Sequence, residues 1–154
     1  MQNFTLLNTG FEAILSGTIA TLLAQILKFL INAIKTKEFN YEHLFTTGGM
    51  PSSHSSGVCA LTTSVGLIGG FNSLMFAVSF GYAVVIMHDA AGLRRDSGQM
   101  AKCLNEMMKE FYKSDIKTKS KQLKELLGHT PKEVFWGAIL GIVIALGLHH
   151  ILLG

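Results

Sequence analysis

The feature that most constrains this chain is a run of apolar residues from Ala13 to Ile34. Roughly 22 residues at about 1.5 Å each are enough to cross a hydrocarbon core of about 30 Å as a helix. Two shorter apolar runs follow, from Ser55 to Gly70 and from Ser73 to Met87, and a last one extends from Lys132 to Leu153. The pattern predicts an all-α integral membrane bundle of about four spans.

Composition also indicates lipid as the solvent. Of 154 residues, 49% are apolar and only 15% are charged, whereas a water-exposed surface needs a larger charged share. The length suits one domain, so we treat residues 1–154 as a single membrane-embedded unit. The net charge of +3 is modest, and the sequence has no base-reading motif. The expected partners are therefore the bilayer and its lipids, and not nucleic acid.

The segment from His88 to Pro131 is polar and basic, which predicts a partly helical insert outside the membrane. Apolar residues recur in it at helical spacing, namely Leu104, Met107, Met108, Phe111 and Tyr112. This amphipathic helix either lies at the membrane interface or packs on the bundle, and packing is the simpler expectation. Pro131 suits the first turn of the last helix.

The basic residues predict the orientation of the bundle. Lys35, Lys37 and the cluster from Arg94 to Lys124 should lie in the cytoplasm. We therefore expect a protein of the cell inner membrane with both termini outside. The same topology brings several polar residues to the cytoplasmic face: Lys28, His54, Asp89, Arg94, Arg95, His129 and Glu133.

The string GGMPSSHSSG places glycines and hydroxyl groups directly before a hydrophobic helix. Exposed backbone N–H groups at a helix N-terminus hold anions, so Ser52 and Ser53 are candidate phosphate contacts, although helix capping alone would also explain them. His54 follows at the point where an imidazole can donate a proton to a leaving oxygen. Lys28 lies inside the first span, where it either contacts phosphate or snorkels to the interface.

His129 and Glu133 are four residues apart in GHTPKEV, on one face of a helix that begins near Thr130. A carboxylate in that position fixes the histidine tautomer, as a nucleophile or base requires. A helix cap with a surface ion pair is the alternative interpretation. Arg94 and Arg95 suit phosphate oxygens with Asp89 as an orienting carboxylate, although arginines at a span end are also ordinary topology signals.

Together these residues resemble the type 2 phosphatidic acid phosphatases and vanadium-dependent haloperoxidases, and more closely a small divergent membrane branch of that family. PSSH at residues 51–54 resembles the second family signature, with serine in the place of glycine. His129 with Glu133 resembles the histidine and aspartate of the third signature. The longer strings TGGMPSSHSS, HDAAGLRRDSGQ and LLGHTPKEVFWG resemble the divergent branch over most of the chain.

The resemblance implies a phosphatase-like domain that hydrolyses a membrane lipid phosphate or diphosphate, polyprenyl or glycerolipid, without a metal or cofactor. It implies that His129 is the nucleophile that forms a phosphohistidine, that His54 is the general acid and that Glu133 orients His129. Lys28 would represent the lysine of the first signature, and Arg94 or Arg95 would replace the arginine of the third.

The sequence departs from the family signatures, since the arginine–proline pair of the first has no clear match and the serine–arginine start of the third is missing just before His129. These differences support an alternative, a membrane protein that binds or translocates a lipid phosphate without hydrolysis. The short middle spans also favour a homo-oligomer, because a second copy would cover the surface that they leave bare.

Overall fold

The structure, a computed structural model, describes residues 8–36, 49–111 and 129–153. Within these ranges the chain forms helices and no strands, which confirms the all-α prediction. The helices in chain order are α1 (Gly10–Thr36), α2 (Ser53–Gly69), α3 (Leu74–Ala91), α4 (Leu93–Phe111) and α5 (Pro131–Leu153).

Three of the described helices are long and apolar enough to cross a membrane: Gly10–Ile34 of α1, all of α3 and all of α5. The fourth predicted span, α2, has 17 residues, which is at the lower limit of about 17 for a spanning helix. The count of four spans therefore stays a prediction. α1 extends beyond its predicted apolar run at both ends, and α3 extends beyond its run at the C-terminal end, to Ala91.

Small residues form the interior of the bundle, and large apolar residues face outward. The buried core consists of Ala20, Ala60 and Ala145, whereas Ile34 and Leu74 are 78% and 85% exposed. Water would penalise so much exposed apolar surface, but lipid does not, and small residues are what allow membrane helices to approach closely. The distribution is that of an integral membrane protein.

α2 lies at the centre, where it packs against α5, α1 and α3. A Cβ atom at Gly137 or Gly141 of α5 would collide with the carbonyl oxygen of Ser52 or Ser56 of α2. Toward α1, the hydroxyl groups of Ser16 and Ser64 are 2.7 Å apart. The two contacts bring α5 and α1 against α2 at distances that larger side chains would prevent, and α1 and α5 also contact each other.

A buried acidic residue joins α1 to the far end of α5. Glu12 is fully buried, and its carboxylate contacts Nδ1 of His149. The same carboxylate accepts a hydrogen bond of 2.8 Å from the backbone N–H of Asn8. α1 and α5 are therefore antiparallel and are linked near the N-terminus of α1, a link that the sequence analysis did not predict.

α4 follows α3 almost directly and packs against it. Leu104 and Met107 are 49% and 51% exposed, so the expectation that this apolar stripe packs on the bundle is wrong for these two residues. Tyr112 and the rest of the insert to residue 128 lie outside the described residues, as does Lys37. The cytoplasmic location of the insert stays a prediction.

Candidate functional site

Two backbone hydrogen bonds bring three helix ends together at one end of the bundle. The N–H of His129 donates to the carbonyl of Ala90 at the end of α3, over 3.1 Å. The N–H of Ser52 donates to the carbonyl of Glu133 in the first turn of α5, over 3.0 Å. These bonds place the start of α2 and the start of α5 side by side. The polar residues at the two helix starts therefore lie close together.

His129 precedes α5 and contacts Glu133 in its first turn. Nδ1 of the imidazole is 3.3 Å from Oε2 of the carboxylate. Thr130 and Glu133 also form a capping box, since the N–H of Thr130 donates to Oε2 over 2.9 Å and the N–H of Glu133 donates to Oγ1 of Thr130 over 3.4 Å. Thr-x-x-Glu is the sequence signal for this box, and the sequence analysis did not use it.

The alternative interpretation of His129 and Glu133 was a helix cap with a surface ion pair, and only the cap is confirmed. The cap is present, but the pair is not on the surface, because the side chain of His129 is 1% exposed. One carboxylate oxygen stabilises both the helix end and the orientation of the imidazole. The capping role and the orienting role are compatible.

His54 lies in the first turn of α2, and its ring faces that of His129. The ring centroids are 6.0 Å apart, with an interplanar angle of 64°. Ser52 is the N-cap of α2, and its hydroxyl accepts hydrogen bonds from the N–H and the hydroxyl of Ser55. Ser53 begins the helix and is buried. The capping interpretation of Ser52 is thus confirmed, whereas a phosphate contact from Ser52 or Ser53 stays a prediction.

Lys28 is buried in the site and does not snorkel. A snorkelling lysine keeps its ammonium group in water, but the side chain of Lys28 is 1% exposed. Gly49 covers the aliphatic part, since a Cβ at Gly49 would lie 3.0 Å from Cδ of Lys28, and the φ angle of +101° at Gly49 also favours glycine. The ammonium group lies close enough to Glu133 for an electrostatic interaction with its carboxylate.

Of the three remaining predicted residues, Asp89, Arg94 and Arg95, the structure describes the side chain of Asp89 only. Asp89 is half-buried near the end of α3, next to the residue whose carbonyl binds the backbone of His129. Arg94 and Arg95 belong to the first turn of α4, but their side chains lie outside the described part of the structure. The structure therefore brings together Lys28, Ser52, Ser53, His54, His129 and Glu133, and the roles of Asp89, Arg94 and Arg95 stay predictions.

Among the described residues, two grooves open beside this site. Each is a space between separate helices, so the sequence did not predict it. The larger, with a volume of about 560 Å³, lies between α1, α2 and α3 and has Gln25, Ser53 and His54 in its lining. The smaller, of about 300 Å³, is almost wholly apolar and lies between α1, α5 and the segment around Pro51.

The comparisons with known proteins agree with the sequence motifs. A family model described as the divergent PAP2 family matches residues 10–144. The chain is also similar to the uncharacterized membrane protein YuiD of Bacillus subtilis (strain 168), with 42% identity over 147 residues, which is 89% of this chain and 93% of the relative. No solved structure matches the chain.

Proposed function

The chain belongs to the divergent PAP2 family, and from that premise we propose that it is a metal-independent phosphatase for a lipid phosphate or diphosphate of the membrane. The substrate is a polyprenyl or glycerolipid phosphate ester, and His129 forms a phosphohistidine intermediate. The single observation that carries the proposal is that two imidazoles lie next to each other at one end of the bundle, with ring centroids 6.0 Å apart. At that separation both rings can contact one phosphoryl group, because near-attack and hydrogen-bond distances are each about 3 Å.

The contact between His129 and Glu133 determines which nitrogen attacks. Nδ1–H of His129 donates to the carboxylate, so the lone pair of the neutral ring is on Nε2. Nε2 is buried, so the groups that cover it have to move and admit the phosphoryl group before the attack. A carboxylate on Nδ1 also stabilises the positive charge that develops on the ring.

The reaction proceeds in two steps. In the first, Nε2 of His129 forms a bond to phosphorus, the bond from phosphorus to the ester oxygen breaks, and the protonated His54 gives its proton to that oxygen. In the second, the now neutral His54 takes a proton from water as the water oxygen bonds to phosphorus and the phosphorus–nitrogen bond breaks. Inorganic phosphate leaves, and both histidines return to their first states.

Two features of the pocket would stabilise the negative charge on the phosphoryl oxygens. Lys28 is buried, and its ammonium group interacts electrostatically with Glu133, in an environment where a cation interacts more strongly with an anion than it does in water. The first turn of α2 contributes backbone N–H groups and the positive end of the helix dipole. Arg94 or Arg95 would complete the anion site if α4 brings either guanidinium to the pocket.

A second candidate is a protein that binds or translocates lipid phosphates without hydrolysing them. The observation that favours it is the absence of the arginine–proline pair of the first family signature. Retained binding of a lipid phosphate without release of inorganic phosphate would identify this function.

The proposal is tested by measuring phosphate release from lipid phosphates by purified protein in detergent, with and without a chelator. The wild-type protein should release phosphate in both conditions, and His129→Ala and His54→Ala should each reduce the rate at least about 1,000-fold. His150→Ala is the matched control, because His150 is an exposed histidine at the other end of α5. The control should keep the wild-type rate, whereas unchanged rates in both site variants would refute the catalytic assignment.

A further inference from the structure

The groove between α1, α2 and α3 is continuous with the proposed phosphate site. His54 and Ser53 line one end of it, and Ile14 lies at the other. The α1 residues in the lining extend from Ile14 to Gln25, about 16 Å at about 1.5 Å per residue. That length is about half of a hydrocarbon core of about 30 Å, so the groove is about as long as one leaflet is thick.

The walls of the groove suit a hydrocarbon chain. Most lining residues away from the histidine are apolar, including Leu22, Leu61 and Ile86. Thr18 and Thr21 also line it, but their hydroxyl groups donate to carbonyls of their own helix, over 2.8 Å each. With those hydroxyl groups bonded to the backbone, the two threonines add little polarity to the groove.

Gln25 differs from the rest of this wall. It is half-buried and lines the groove one turn before Lys28. Its Oε1 atom is buried, and no donor among the described residues reaches it. A buried hydrogen-bond acceptor that lacks a donor costs free energy. Rotation of the Gln25 amide toward a ligand that supplies a donor removes this cost. Gln25 is thus suited to accept a hydrogen bond from the part of a lipid nearest to its phosphate.

We infer that this groove binds the hydrocarbon chain of the substrate and that Gln25 selects lipid phosphates with a hydroxyl group close to the phosphate ester. The inference rests on the proposed function, since it specifies the substrate of the same site. The inferred selection favours glycerolipid phosphates with a free hydroxyl group over polyprenyl phosphates. Polyprenyl phosphates have no hydrogen-bond donor near the phosphate ester. Gln25 acts on specificity and not on the chemical steps.

The test compares two substrates that differ by one hydroxyl group, 2-hydroxyhexadecyl phosphate and hexadecyl phosphate. The wild-type protein should hydrolyse the hydroxylated lipid with a kcat/KM at least about tenfold higher. In Gln25→Met, which keeps the size of the side chain without the amide, the ratio of the two kcat/KM values should fall to near one. Ile26→Leu is the control, because Ile26 is 49% exposed and is not part of the groove lining, and it should keep the wild-type ratio.

The outcomes separate this inference from the proposed function. Hydrolysis of both lipids by the wild-type protein with equal kcat/KM would overturn the inference and leave the phosphatase in place. A wild-type preference that Gln25→Met retains would overturn the role of Gln25. Hydrolysis of neither lipid, nor of any other lipid phosphate, would overturn the phosphatase proposal and the inference together.

Discussion

At the scale of single residues, the central feature of the site is the carboxylate of Glu133, which both caps the helix and contacts the imidazole of His129. Oε2 accepts from the N–H of Thr130 and contacts Nδ1 of His129. The capping box holds the carboxylate in place, and the carboxylate holds the imidazole. A local helix signal thereby also orients the imidazole of His129, the proposed nucleophile, and this explains why His129 can be buried next to a helix end.

The two roles of Glu133 are separable by substitution. Glu133→Gln keeps an oxygen for the cap but removes the charge that stabilises the imidazolium, so kcat should fall at least about 100-fold. Thr130→Ala removes only the hydroxyl of the cap, and it should lower the stability of the protein by about 1 kcal/mol and retain most of the turnover. Phosphate release and thermal unfolding in detergent measure both effects. If Glu133→Gln retains as much turnover as Thr130→Ala, Glu133 only caps the helix.

At the scale of helices, the contact between α2 and α5 determines whether His54 and His129 meet. Gly137 and Gly141 allow the backbone of α5 to approach the carbonyls of Ser52 and Ser56. Since His54 begins α2 and His129 precedes α5, any separation of these helices also separates the two imidazoles. Helix packing and site geometry therefore depend on the same pair of glycines.

Two alanine substitutions in α5 test this dependence. Gly141→Ala places a methyl group against the carbonyl of Ser56, and the resulting overpacking should lower stability by about 1–3 kcal/mol and reduce turnover. Gly147→Ala meets no atom within 4 Å, so the gain in helix propensity should raise stability by about 0.5–1 kcal/mol. Apparent melting temperatures in detergent should shift in opposite directions. A shift in the same direction for both variants would contradict the packing account.

The helices themselves were predictable from the sequence, but their contacts were not. Apolar runs revealed α1, α3 and α5 because a span needs a minimum length of apolar residues. The contact between Ser16 and Ser64 leaves no such trace, since small residues give no pattern that identifies their partners. The burial of Lys28 was equally hidden, because it depends on Gly49 folding over the side chain from a different segment.

At the scale of the whole molecule, the alternating directions of α1, α2 and α3, with α5 parallel to α2, gather the proposed site at one end of the bundle. α1 and α3 end there, whereas α2 and α5 begin there. The structure places Lys28, His54, His129 and Glu133 together at this end, as the sequence predicted, because each reversal between spans moves the chain to the opposite end. The side of the membrane is a separate question that the distribution of basic residues addresses.

The two cysteines provide a test of orientation. Cys103 is exposed on α4, whereas Cys59 is buried in α2. If α4 lies in the cytoplasm, a membrane-impermeant maleimide should label the protein only after the cells are permeabilised. Cys103→Ser should abolish this labelling, and Cys59→Ser should leave it unchanged. Labelling of Cys103 in intact cells would place α4, and the proposed site with it, on the outer face.

The buried pair of Glu12 and His149 has a consequence for access to the bundle. It links α1 to α5 at the end of the bundle opposite the two imidazoles, where the carboxylate is fully buried and the imidazole is 16% exposed. An alternating-access carrier has to part its helices at each rim in turn. A carrier of this fold would have to break the contact between Glu12 and His149 in each transport cycle, whereas a hydrolase that works from one side keeps it throughout.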